Sequence, residues 1–187
     1  MNFIVLAIIA VGFPLAGAVA QSLQNPSFEE AGSSPDRAAG WNRWGDWINR
    51  ETEWRPAHGG SCLIGYHHWQ IGEAKSSGLW QDVVGIKAGQ KVTFGVWVWV
   101  DPATAPASSI ELRLETAGEK DQVAFASATF PLSELPLNRW KELKVSGTVP
   151  KDGLRVLLIA NPSAAAPRDG SVKLDDASLE VVDPSLP

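Results

Sequence analysis

Every second residue of Lys91–Val100, KVTFGVWVWV, is Val or Phe. Val92, Phe94, Val96, Val98 and Val100 fall on one side, and Thr93, Gly95, Trp97 and Trp99 on the other. Period two is the mark of a half-buried strand. SIELRLE repeats it, with Ile110, Leu112 and Leu114 inward and Glu111, Arg113 and Glu115 outward. WKELKVSGTV, LRVLLIAN and SVKLDDASLEVV add further strands, and KAGQ, DPATAP, PKDG and NPSAAAPRDG supply turns between them. No long stretch joins helical periodicity to a cap. PLSELPLNRW comes nearest, and Pro131 and Pro136 limit it to a turn or two. Many short strands with turns between them predict an all-β chain folded as an antiparallel β-sandwich or jelly roll. The Ala-, Ser- and Pro-rich stretches 101–109 and 161–170 read as surface excursions, and there is no internal repeat.

Residues 1–20 change the picture at the N-terminus. They carry no charged side chain; Phe3 to Val11 is apolar, Pro14 breaks the run, and Ala18-Val19-Ala20 has the form of a signal-peptidase site. A cleaved secretion signal is expected, leaving 21–187 as a single domain that is secreted, extracellular or periplasmic, and monomeric. An uncleaved anchor is the alternative, because Phe3 to Ala20 only just reaches spanning length. No later segment is apolar enough to span, so no membrane partner is expected after cleavage. The net charge is −5 and Lys and Arg do not cluster, which argues against nucleic acid. Cys62 is the sole cysteine, which excludes an intrachain disulfide framework and suits a small buried apolar residue.

Several segments together carry a resemblance. LQNPSFEE, then GW, HGGSCLIG, GLWQDVVGIKAGQKVTFGVWVWV, RWKELKVSGTVP and VKLDDASLEVV occur in this order over 22–182. The series resembles the secreted CenC-like carbohydrate-binding modules, the families numbered 4, 9, 16 and 22. That resemblance implies a galactose-binding-domain-like jelly roll and a structural calcium ion clipping the first and last strands. Calcium takes six to eight oxygen ligands. By position, Glu29 and Asp175 would supply carboxylates, and backbone near Asn25 and Gly60 further oxygens. Pro26 departs from the pattern, which more often has Gly there. Period two places Asp175 with Ala177 and Leu179 on one face, so an inward carboxylate would need a partner; a cation or strand-end amides would serve.

The tryptophans fit the same reading. The chain has nine, and Trp41, Trp44, Trp47 and Trp54 crowd the stretch GWNRWGDWINRETEW among Asn42, Arg43, Asp46, Asn49, Arg50, Glu51 and Glu53. A flat indole shields the C–H face of a sugar while neighbouring polar groups meet its hydroxyls. Trp41 is expected to pack, Trp80 to be structural and Trp140 to sit in core or rim. Trp44, Trp47 and Trp54 are the expected platforms, with Trp97 or Trp99 as floor and Asp46, Asn49, Arg50, Glu51 and Glu53 as rim. The expected function is thus a non-catalytic module for a polysaccharide or oligosaccharide. One alternative is a structural or adhesive sandwich whose indoles are core. Another is a small glycoside hydrolase or lyase on the same fold. For the enzyme, Glu51 and Glu53 would stand about 6.8 Å apart if extended, within the range of an inverting pair. His58, His67 and His68 with Cys62 match no zinc spacing.

Overall fold

A computed structural model describes residues 22–45, 47–67, 76–102, 108–118, 120, 122–161 and 171–183, without the side chain of His67. The proposed signal, Asp46, and most of the 101–109 and 161–170 excursions lie outside these residues. Among the described residues ten strands follow one another: β1 (Asn42–Trp44), β2 (Ile48–Glu51), β3 (Leu63–His67), β4 (Ser77–Val83), β5 (Lys91–Val100), β6 (Ser109–Thr116), β7 (Ala124–Pro131), β8 (Trp140–Thr148), β9 (Leu154–Asn161) and β10 (Ser171–Val182). The one helical element among the described residues is a 3-10 turn at Leu132–Glu134, inside PLSELPLNRW. The expected β-sandwich is therefore what the chain forms.

Two five-stranded antiparallel sheets make it. Sheet I runs β1-β4-β9-β6-β7 and sheet II runs β2-β3-β10-β5-β8. Between them lie the inward rows that alternation marks: Val92, Phe94, Val96, Val98 and Val100 from β5, and Ile110, Leu112 and Leu114 from β6, all buried. β9 adds Leu154, Val156, Leu158 and Ala160 to the same cluster. This burial drives the fold, at about 25 cal/mol for each Å² of apolar surface removed from water.

Two features decide what reaches each outer face. The chain leaves sheet I after Trp44 and enters sheet II at Ile48. The turn begins at Gly45, whose φ of +73° is a left-handed value that favours glycine. Second, β10 carries a bulge between Asp175 and Ser178, with Asp176 at φ +44°. Before it Val172 and Leu174 face the core; after it Leu179 stands opposite Phe94 and Val181 opposite Val92, facing the core as well. The extra residue reverses the side-chain parity. Asp175 therefore does not share a face with Leu179, as strict alternation requires; it pairs with Trp97 on the outer side.

The N-terminal segment is tied down by buried polar contacts. Arg50, 9% exposed, donates to the carbonyls of Phe28 (2.7 Å), Glu29 (2.6 Å) and Pro35 (3.1 Å) and to Cys62 Sγ (2.9 Å). The Gln81 side chain accepts from Gln24 N–H at 2.7 Å and donates to the Gln24 and Gly40 carbonyls at 3.1 and 2.9 Å. Trp41 is buried as expected, tilted against Phe28 at 5.4 Å.

Candidate functional site

The indoles of the 41–54 stretch do not share a site. Trp44 stands on sheet I, Trp54 lies against sheet II, and Trp47 between them is half-buried against the core. Arg50, expected at a rim, is enclosed by the carbonyls named above, because its strand position points it beneath the N-terminal segment. Asn49 accepts a hydrogen bond from Arg43. Glu51 ends β2 and Glu53 lies beyond it in an exposed turn, so the extended geometry assumed for a carboxylate pair does not hold.

The outer face of sheet I is organised in transverse rows. One row is Trp44, Gly78, Ile159, Glu111, Thr129; the next is Asn42, Trp80, Leu157, Arg113, Ser127. Leu157 and Ile159 are the central residues. They are 8% and 5% exposed yet lie outside the core cluster, on the outward side of β9. The Trp44 ring covers Gly78 so closely that it leaves no room for a Cβ there. The Arg155 guanidinium lies 3.7 Å over the Trp80 ring and grips Asp82 with two bonds of 2.7 and 2.8 Å. Opposite, Arg113 bridges Glu111 at 2.8 Å and Glu115 at 3.3 Å. A cleft of about 360 Å³ adjoins this face, lined by Arg37, Gly40, Asn42, Arg43 and Trp80 among others. The result is an apolar strip framed by two half-exposed indoles on one side and a charged ladder on the other.

Sheet II presents a different aromatic surface. Its transverse row is Asn49, Gly65, Lys173, Trp99, Trp140. The Trp54 ring lies over Gly65, where a Cβ would meet it at 2.8 Å. The Lys173 ammonium sits 5.9 Å from the Trp54 ring centre and 5.4 Å from that of Trp99, and pairs with Asp101 at 2.9 Å. Trp99 meets Trp140 edge-on at 5.8 Å. The His58 imidazole stacks on Trp97 at 4.2 Å and 18°, and bonds Asp176 at 2.6 Å. Trp97 and Trp99 thus face away from the valine row as their parity requires, and both are half-exposed.

The two carboxylates assigned to a metal converge on one loop. Glu29 accepts from the Ser61 and Cys62 amides, each at 2.8 Å, and from Ser61 Oγ at 3.0 Å. Asp175, with no exposed surface, accepts from the His58 (2.9 Å), Gly59 (3.2 Å) and Asp176 (2.8 Å) amides. Burial is the largest influence on Asp175 and pushes its pKa up to about 6; the amides oppose the rise and the Asp176 charge adds to it. For Glu29 partial burial acts upward, but the Cys62 and Ser61 bonds together hold it below its ordinary value. Gly60 presses on Glu29 in a left-handed conformation, φ +56°, that leaves no room for a side chain. The Asn25 carbonyl already accepts from Phe28 N–H and Trp41 Nε1–H. Among the described residues no three acidic, His or Cys side chains meet at one point. An ion here would therefore rest on two carboxylates and on backbone oxygens.

Sequence reasoning missed the sheet I strip, gave Trp80 a structural role and placed Trp140 in core or rim. LRVLLIAN held the signal: a run buried on both parities whose outward members, Leu157 and Ile159, need a cover other than the core.

No family model matches the chain, and no curated protein does. Solved structures share its architecture. TmCBM61, solved in complex with β-1,4-galactotriose, is 18% identical with a TM-score of 0.60, over 84% of this chain and 96% of its own. A family 16 carbohydrate-binding module is 15% identical with a TM-score of 0.57, over 84% and 98%. A cyclase from Fischerella sp. TAU is 15% identical with a TM-score of 0.61, over 87% and 97%. The chain has the β-sandwich fold of carbohydrate-binding modules, and a cyclase shares that fold.

Proposed function

We propose that the protein is a non-catalytic carbohydrate-binding module whose sugar seat is the outer face of sheet I. One observation carries the reading: the half-exposed rings of Trp44 and Trp80 lie on the outward side of sheet I across from the Glu111–Arg113–Glu115 ladder, with Leu157 and Ile159 nearly covered between them. Apolar floor and placed polar groups are what a pyranose ring needs, since its C–H face is apolar and its rim is all hydroxyl. Asn42, Glu111 and Arg113 are the hydroxyl partners. The fold shared with a galactotriose-binding module supports the ligand class. In this reading a calcium ion, held by Glu29, Asp175 and backbone oxygen near Gly60, fixes the 58–62 loop; among the described residues neither carboxylate has a Lys or Arg ion pair, which favours a cation there.

Affinity electrophoresis through soluble β-glucan, xylan and β-1,4-galactan tests the seat. At least one polymer retards the wild-type chain, and Trp44→Ala and Trp80→Ala each reduce the retardation, with a loss of about 1.4 kcal/mol reading as tenfold weaker binding. Retardation unchanged in both variants removes sheet I as the seat.

A further inference from the structure

We propose that the outer face of sheet II is a second glycan platform, formed by Trp54, Trp99 and Trp140, so that one chain binds two polysaccharide strands on opposite sides and cross-links them. The proposal rests on the ligand class inferred above but on different residues.

The first argument is the surface itself. Trp54, Trp97, Trp99 and Trp140 are all half-exposed on one face, whereas large aromatic patches on a lone chain are seldom idle. The second is that this face already seats a flat ring. The His58 imidazole lies on Trp97 at 4.2 Å, nearly parallel, and meets Trp140 edge-on at 5.4 Å, so stacking geometry is built in. Third, spacing fixes the size of the occupant. Trp54 covers β3 at Gly65 while Trp99 rises from β5, with β10 between them. Two inter-strand steps are about 9.6 Å, too far for one sugar ring to touch both indoles, so the occupant has linked rings.

Charge excludes other polymers. Lys173 is paired with Asp101 at 2.9 Å and Lys144 with Glu142 at 3.2 Å, and against Lys91 on the outward row of β5 stand Glu51, Asp176 and Glu180. With a chain net charge of −5, the face repels anionic polymers and accepts a neutral one. Finally, the two platforms lie on opposite sides of a sandwich whose sheets pack about 10 Å apart. A rigid glycan strand on one face cannot reach the other, and the two sites take separate strands.

Titration calorimetry with cellohexaose, xylohexaose and β-1,4-galactohexaose counts the sites, and turbidity of the matching long polymers reads cross-linking. The wild-type chain is expected to take two equivalents and to precipitate a long polymer. Trp99→Ala and Trp54→Ala are each expected to take one equivalent and to leave the polymer soluble; Trp54 stands on a loop outside the strands, so its loss tests the site even if Trp99→Ala unfolds. Trp44→Ala is expected to retain the sheet II equivalent alone. One equivalent that survives Trp54→Ala and Trp99→Ala but not Trp44→Ala overturns the second platform and keeps the sheet I seat. One equivalent lost only with Trp54 or Trp99 overturns cross-linking and the sheet I seat together, and no binding to any oligosaccharide overturns both readings.

Discussion

Asp101 shows how a single carboxylate can organise a face. Its oxygens accept from Lys173 Nζ at 2.9 Å, Trp99 Nε1 at 3.0 Å and Ser171 Oγ. Burial, the largest single influence, raises its pKa, but the bonds from Ser171, Lys173 and Trp99 together bring it below the ordinary carboxylate value. The folded pKa therefore lies under the unfolded one. Its stabilisation is complete above the unfolded carboxylate range, about pH 4, and is lost as pH falls through the lowered folded value. Urea midpoints measured from pH 7 down to pH 2 are expected to fall on the acid side less steeply in Asp101→Asn than in the wild-type chain. An acid limb identical in the two proteins would show that the network contributes nothing to folding.

At the scale of elements, each outer face has a glycine beneath an indole. Gly78 lies under Trp44 and Gly65 under Trp54, and neither leaves room for a Cβ. Gly78→Ala is expected to lift the Trp44 ring from the sheet. Retardation by the bound polysaccharide should then drop, as in Trp44→Ala, while the melting temperature changes little because the ring is half-exposed. Full retention in Gly78→Ala would detach Trp44 from the seat. The strands themselves were legible wherever one face alone is buried, as in β5 and β6, because alternation then reports burial directly. The stretch 41–54 was not legible in the same way. Its indoles are neighbours in the chain and look like one cluster, but the turn at Gly45 carries the backbone from one sheet to the other and sends Trp44 and Trp54 to opposite outer faces. The partners of Trp99, namely Trp140 and Lys173, come from strands far along the chain, a pairing that only register reveals. In β10 the bulge defeated period two, since no residue type at 175–178 announces it.

For the molecule as a whole, the 58–62 loop joins the ends of the described chain. Glu29 from the N-terminal segment and Asp175 from the last strand both bind its amides, and Ala177 N–H donates to the Pro26 carbonyl at 2.8 Å. Calcium held there would stabilise the folded state alone, by about 2.7 kcal/mol when free calcium is a hundredfold above its Kd. For a chain of this size that corresponds to a shift on the order of 2–4 °C per kcal/mol. A melting scan is expected to show a lower Tm in excess EDTA and its recovery on adding calcium chloride, but not magnesium chloride, since the smaller ion prefers a tighter octahedral shell. The same Tm with and without chelator would leave the amides and the Ser61 hydroxyl as the partners of the two carboxylates.

The bulge in β10 makes that strand sensitive to length in a way that composition does not show. Losing one codon at 176 would keep the reading frame and remove the extra residue, restoring strict alternation with Val172, Leu174, Ala177, Leu179 and Val181 all still inward. Losing a codon elsewhere in the strand, at 173 for example, would instead turn Val172 or Leu174 to solvent. A substitution disturbs one side chain, whereas a loss outside the bulge puts part of the strand out of phase. Natural length variation within β10 should therefore be confined to 175–178.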